Sequence, residues 1–214
     1  MLPPGERRTL SDVTAGAQQI AEALRCGDAL DDKTFDRLYP FSHRLRSWLH
    51  WTPLEVARRA CNLLAPAPDT RVLDVGSGVG KVCIVGALTT AAQWCGIERD
   101  PTMVTLATAA ATALAARATF RLGEMTAVDW TSFRAFYLFN PFAEILLAST
   151  EEPAVRQARY QESVAFVEAQ LAATTPGTRV VTYHGFGGSL ERSFDLTHRE
   201  KMGEAELCLW IRRA

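Results

Sequence analysis

Asp74-Val75-Gly76-Ser77-Gly78-Val79-Gly80 is the stretch that decides the fold. It follows an apolar run, Arg71 to Val75, with the character of a buried strand, and it opens an apolar helical segment from about residue 80 to 91. Glycine carries no Cβ, so at such a junction bare backbone can approach a bound molecule. Taken alone, a glycine-rich turn is a weak signal, and its place between strand and helix is what gives it meaning.

The next strand, residues 93 to 98, ends on Glu98, 22 residues after Gly76. A carboxylate there can accept two hydrogen bonds from ribose hydroxyls, so an adenosine-bearing ligand is expected. Arg99 is a further candidate contact, and Asp100 is placed to cap a helix that starts with Pro101. In dinucleotide-binding turns the third glycine stands three places after the second. Here the glycines are spaced by two, behind the acid Asp74, and that acid would repel a diphosphate.

Alternation continues on both sides of this unit. The pattern predicts helix 101 to 116, strand 118 to 122, a short helical piece near 129 to 134 and strand 135 to 139. A helix from about 153 to 174, strand 178 to 183 and strands near 193 to 198 and 205 to 212 complete it. This order implies an α/β, Rossmann-like, doubly wound and mostly parallel sheet of seven strands. No crossover helix fits around Met202-Gly203, so the last two strands should form an antiparallel hairpin.

Upstream, Thr52-Pro53-Leu54-Glu55 reads as a capping box with Thr52 as the cap. Residues 1 to 51 are expected to form an N-terminal helical extension and possible lid, and 52 to 214 the ligand-binding domain. In the extension, Val13, Ala17, Ile20 and Leu24 stripe a helix from Ser11, its expected cap, to Arg25. Phe35 to Trp51 is aromatic and basic, a cover over one edge of the core or a lid over a ligand. Within it, His50-Trp51-Thr52 could close over the ligand.

Composition excludes several classes. The 214 residues carry 23 Lys plus Arg against 24 Asp plus Glu, so the general basic field of a nucleic-acid binder is missing. No apolar run is long enough to span a membrane, and a cytoplasmic location is expected. The 5 cysteines are widely spaced without a Cys-x-x-Cys pair and the 4 histidines are scattered, so no metal site is expected.

The acid-x-Gly-x-Gly-x-Gly string of Asp74 to Gly80 resembles the first motif of the class I S-adenosylmethionine-dependent methyltransferases. The resemblance extends through Glu98 and Gly123-Glu124-Met125 and covers roughly Thr70 to Arg213. It implies S-adenosyl-L-methionine as cofactor. Asp74 would then lie near its ammonium group, the backbone from Gly76 through Ser77 and Gly78 to Gly80 at its carboxylate, and Glu98 at its ribose. Glu124 would supply a side-chain acceptor and Met125 a backbone N–H for the adenine, and Thr52 is a further candidate contact.

Phe139-Asn140-Pro141-Phe142 follows the fourth strand, where amine-directed members of the family carry Asn or Asp, two prolines and an aromatic residue. Chemically, an attacking nitrogen must aim its lone pair at the methyl carbon while fixed oxygens hold its hydrogens. Asn140 and Pro141 offer such oxygens, and Phe142 offers a ring face. This chain has one proline where the adenine N6 pattern has two. The glycine motif also resembles the seven-strand histone-lysine methyltransferases that lack the SET domain. An amine on a protein or small molecule is therefore the expected acceptor, with nucleic acid second. A nicotinamide-dependent oxidoreductase and a noncatalytic nucleoside-binding module are the alternatives from other classes. His184, in a glycine-rich loop after the fifth strand, is either an acid/base or a hydrogen-bonded structural histidine.

Overall fold

The computed structural model describes residues 10–45, 47, 51–147 and 151–214. Arg46, Trp48, Leu49 and His50 lie outside the described residues, so the expectation for His50 finds no counterpart there.

Seven strands form one sheet in the order β3-β2-β1-β4-β5-β7-β6. They are β1 (Arg71–Val75), β2 (Gln93–Glu98), β3 (Ala118–Leu122), β4 (Ala135–Phe139), β5 (Arg179–Tyr183), β6 (Phe194–Met202) and β7 (Ala205–Arg212). The first five pair in parallel. β7 runs antiparallel to both β5 and β6, so the expected hairpin is present and its outer strand reaches Met202. Chain order reverses between β1 and β4, and an open parallel sheet presents its ligand crevice at the carboxyl ends of such strands.

Alternation along β1 divides the core. Val72 and Asp74 face one side of the sheet, and Leu73 and Val75 the other. On the first side pack α1 (Leu10–Cys26), α4 (Leu54–Leu64), α5 (Lys81–Thr89) and α6 (Pro101–Ala113). On the second side the long α8 (Pro153–Ala172) brings Val164, Val167 and Leu171 against Phe136 and Leu138. Trp130, in a 3-10 turn at Trp130–Ser132, stacks on Phe136 at 5.1 Å between ring centroids.

Three short helices fall where no periodic pattern was expected: α2 (Asp32–Asp36), α3 (Phe41–Arg44) and α7 (Ala143–Leu147). α1 begins by Leu10, so Ser11 lies inside it and is not its cap. The N-terminal helices share the main core, since Ala17, Ile20, Leu24, Phe35 and Tyr39 are buried with residues of α4 and α5.

Thr52 does not cap α4. The N-cap position is Pro53 without a side-chain bond, and the Thr52 hydroxyl is instead hydrogen-bonded to the Tyr137 hydroxyl at 3.0 Å. Asp32 of α2 takes over the helix end by accepting from the Leu54 N–H at 2.9 Å. A buried hydroxyl left alone would cost more than a cap contributes, so the tertiary partner prevails.

Candidate active site

The turn after β1 is bent toward β2. The N–H groups of Gly76 and Ser77 both donate to the Ile97 carbonyl, at 3.0 and 3.1 Å. Gly76, Gly78 and Gly80 all have positive φ, at 74°, 52° and 80°, which L side chains resist. The Gly78 N–H donates to one oxygen of Glu98 at 2.9 Å, and the Asp100 N–H donates to the other at 2.9 Å. Each carboxylate oxygen has a second lone pair, so Glu98 is held in place with acceptor capacity to spare.

A cavity of about 1050 Å³ opens at the carboxyl ends of β1, β2 and β4. Its walls bring together Gly76, Gly78, Glu98 and Arg99 with Glu124 and Met125 after β3. Asn140, Pro141 and Phe142 after β4 complete that wall. The two motifs are neighbours: a Cβ added at Gly76 would lie 3.4 Å from the Pro141 Cβ. A Cβ on Gly78 would meet nothing within 4 Å, so its missing side chain leaves open space at the cavity wall.

Four residues expected at this site are directed elsewhere. Thr52 is spent on Tyr137, as described. Asp74 is 4% exposed and faces the α5 side of the sheet, where its carboxyl accepts from the Cys83 thiol at 3.7 Å. Burial pushes its pKa up to about 7, against the Cys83 hydrogen bond and with a smaller upward push from the charge of Glu98. Ser77 is buried under Gly96, where a Cβ would come 2.4 Å from its Oγ. Gly80 is the left-handed N-cap of α5, packed under Phe120, whose Cζ would lie 2.4 Å from a Cβ there. Its glycine is required by packing and by φ.

Asn140 has φ 37°, a left-handed conformation that Asn tolerates better than most residues. Its N–H donates to the Gly185 carbonyl at 2.8 Å. The loop after β5 is left-handed too, at His184 (φ 57°) and Gly185 (φ 66°). The His184 ring is exposed and lies 5.4 Å from Phe139 and 4.7 Å from Tyr183, outside the cavity wall. Phe142 reaches the wall but is 5% exposed, edge-on to Tyr160 at 6.4 Å, so it acts as wall more than as an open ring face.

The extension also reaches the site. The Tyr39 hydroxyl donates to the Val79 carbonyl at 3.0 Å, and the Tyr39 ring meets Trp51 edge-on at 4.9 Å. Trp51, Ser42, His43 and Leu45 line the cavity. All four lie in the Phe35 to Trp51 stretch read from sequence as a cover or a lid, and of the four only Trp51 was named as able to close over the ligand. Glu144 of α7 and Arg159 and Glu162 of α8 also line it, and no local motif marks them. The described residues contain no group of three or more side chains able to hold a metal ion, and no helix among them is long and apolar enough to cross a membrane.

No protein-family model matches the chain, and the search of curated proteins finds no match. Solved structures do match. An RNA methyltransferase from Salinibacter ruber in complex with S-adenosyl-L-homocysteine is 24% identical, with a TM-score of 0.55 over 76% of this chain and 93% of the other. The chain has the fold of the class I S-adenosylmethionine-dependent methyltransferases. TrmN from Thermus thermophilus matches at 17% identity and TM-score 0.56 over 85% of this chain, which spans about half (53%) of that protein. A ribosomal protein L11 methylase from Lactobacillus delbrueckii subsp. bulgaricus matches at 15% identity and TM-score 0.52, over 75% and 78% of the two chains.

Proposed function

We propose that this chain is an S-adenosyl-L-methionine-dependent methyltransferase acting on an amine. One observation carries the reading: the glycine turn and Asn140-Pro141-Phe142 wall the same cavity, with Pro141 beside Gly76. The residues present fit the cofactor. Open space stands where Gly78 lacks a Cβ, and Glu98 is fixed with free lone pairs beside it. In this reading the amino-acid end lies against the turn in the space left open at Gly78, Glu98 takes the ribose, Glu124 and the Met125 N–H the adenine, and Arg99 flanks them. The cofactor supplies a methyl group on a positively charged sulfur, open to attack by a lone pair.

The chain's own work is then positional. The Asn140 amide oxygen and the Pro141 carbonyl accept the hydrogens of the acceptor amine and leave its lone pair aimed at the methyl carbon. An amine with the ordinary lysine pKa of about 10.4 needs roughly 4.6 kcal/mol to be neutral at pH 7. The half-buried Phe139 and Trp51 disfavour the charged form and lower this cost, while the carboxylates on the same cavity wall favour the charged form and offset part of that gain. In this assignment residues 52 to 214 are the catalytic domain, and the extension before them covers the cavity through α3 and Trp51.

An RNA acceptor is the second reading, favoured by the Salinibacter ruber neighbour, which is an RNA methyltransferase. The ribosomal-protein methylase shares the fold equally, so fold likeness does not choose between acceptors. Titration calorimetry with S-adenosylhomocysteine and with NAD tests the cofactor: heat with the first alone is expected, and heat with NAD alone overturns the reading. Incubating cell extract with radiolabelled S-adenosylmethionine and sorting the label into protein, nucleic acid and small molecules then tests the acceptor.

A further inference from the structure

We infer that the mouth of the cavity docks a polypeptide segment that is both basic and apolar, presenting a lysine to Asn140. The inference rests on reading the cavity as a methyl-transfer site and selects the class of acceptor within it.

Charge comes first. Among the described residues that line the cavity are five carboxylates, of which Glu98 and Glu124 are given to the cofactor in this reading, leaving Asp100, Glu144 and Glu162 against two guanidinium groups, those of Arg99 and Arg159. Both guanidinium groups are already paired, Arg99 with Glu144 at 3.2 Å and Arg159 with Glu151 at 2.5 Å. The outer carboxylates Glu144 and Glu162 are exposed, and Glu162 has no ion pair among the described residues. Arg44 lines a second, smaller cavity with Asp32, Asp36, Lys33 and Lys81, and its guanidinium lies 5.5 Å from the centroid of the Phe41 ring. A phosphate backbone entering the large cavity would meet excess negative charge with its cations occupied, whereas a cationic chain would be attracted.

Apolar surface comes second. α3 and α7 both border the cavity. Phe41 and Leu45, one helical turn apart, are 67% and 59% exposed, and Leu45 itself lines the cavity. Leu147 follows the lining residues Glu144 and Ile145 and is 69% exposed, and Val155 in the first turn of α8 is 51% exposed. The Arg156 guanidinium donates to the Leu146 carbonyl at 2.7 Å and so ties α8 to α7 at this rim. Leu45 lines the mouth and the others stand on the helices that border it, and exposed large apolar side chains beside a cavity mark a surface that another molecule covers. A small polyamine would satisfy the carboxylates and leave those side chains in water. A peptide with lysine or arginine beside leucine or phenylalanine satisfies both.

The test uses the full chain with S-adenosylhomocysteine present and three fluorescein-labelled probes. These are a 12-residue peptide with a central lysine flanked by Arg and Leu, the same peptide with Asp in place of Arg, and a 12-nucleotide single-stranded RNA. The first should bind at least tenfold more tightly than either other probe. That preference should fall by about tenfold in Glu144→Lys/Glu162→Lys and, separately, in Leu45→Ser, while heat of S-adenosylhomocysteine binding is retained. Tighter RNA binding, or peptide binding that ignores all three substitutions, overturns the proposal. So does competition by spermidine with no contribution from Leu45. If none of the probes binds while S-adenosylhomocysteine gives heat, the docking proposal fails and the cofactor site stands. Absence of that heat removes the underlying reading instead.

Discussion

The Asn140 N–H donates to the Gly185 carbonyl at 2.8 Å, which latches the loop after β4 to the loop after β5. Both ends of the latch are left-handed, so the Asn140 side chain is aimed by backbone strain that the two loops hold jointly. Asn140→Gly keeps the backbone conformation and removes only the amide. Turnover should fall on the order of 100-fold, the scale of lost positioning, with calorimetric affinity for S-adenosylhomocysteine within about twofold of wild type. Equal loss of affinity would show that Asn140 serves the cofactor and not the acceptor.

Gly78 and Gly80 look equivalent in sequence and should separate in experiment. At Gly78 a Cβ meets nothing within 4 Å, so Gly78→Ala folds with a cost of about 1 kcal/mol for its φ of 52°. The methyl group then stands in ligand space, and an intrusion of about 1–3 kcal/mol lowers cofactor affinity roughly 10- to 100-fold. At Gly80 the Cβ would lie 2.4 Å from the Phe120 Cζ and 2.9 Å from the Ala107 Cβ. Gly80→Ala should therefore lower stability by about 2–4 kcal/mol in urea titrations. A Gly78→Ala protein that binds normally would mean the ligand does not approach this turn.

That contrast shows what the sequence could and could not convey. Strand and helix alternation was legible because buried parallel strands read as apolar runs, and because Asp100 and Pro101 mark a helix start that the structure keeps, with Asp100 accepting from the Thr102 N–H at 2.7 Å. Thr52 carried an equally good local signal, and it failed because its hydroxyl is bound by Tyr137, 85 residues away. Asp74 was read as facing the ligand from its place in a string, but the pleat of β1 sets it beside Val72 and toward Cys83. α2, α3 and α7 have five residues or fewer, too short for a helical period to show. The α3 residues on the cavity wall were legible only as part of a cover or lid, and those of α7 were hidden for the same reason.

Asp74 makes stability depend on pH. Its carboxyl, ordinarily at 3.8, is pushed up to about 7 by burial, so the unfolded chain releases this proton before the folded one does. The contribution is complete below about pH 3.8 and declines as pH rises toward 7, by up to about 4 kcal/mol at 1.36 kcal/mol per pH unit. Asp74→Asn removes the titration. The difference in unfolding free energy, variant minus wild type, should grow in the variant's favour between pH 4.5 and pH 7.5. A difference that stays constant over that range would show that the carboxyl is ionised throughout.

Lys81 ties the N-terminal helices to the helix that the glycine turn opens. It is 4% exposed, pairs with Asp32 and with Asp36 at 2.9 Å, and lies 5.3 Å from the Phe35 ring centroid. Asp36 is 6% exposed and depends on this partner, whereas the Asp32 side chain is 48% exposed and can turn to water. Lys81→Met strands a buried carboxylate and should cost about 3–5 kcal/mol. Adding Asp36→Leu removes the stranded charge and should recover most of that loss, because a buried pair replaced by apolar groups is close to neutral. Thermal melts of the single and double variants, with limited proteolysis to follow α2 and α3, measure both steps. A single variant that melts like wild type would mean that the apolar contacts of Phe35 and Tyr39 suffice to hold the extension. A double variant no better than the single would place the loss in the contact between Lys81 and the Phe35 ring.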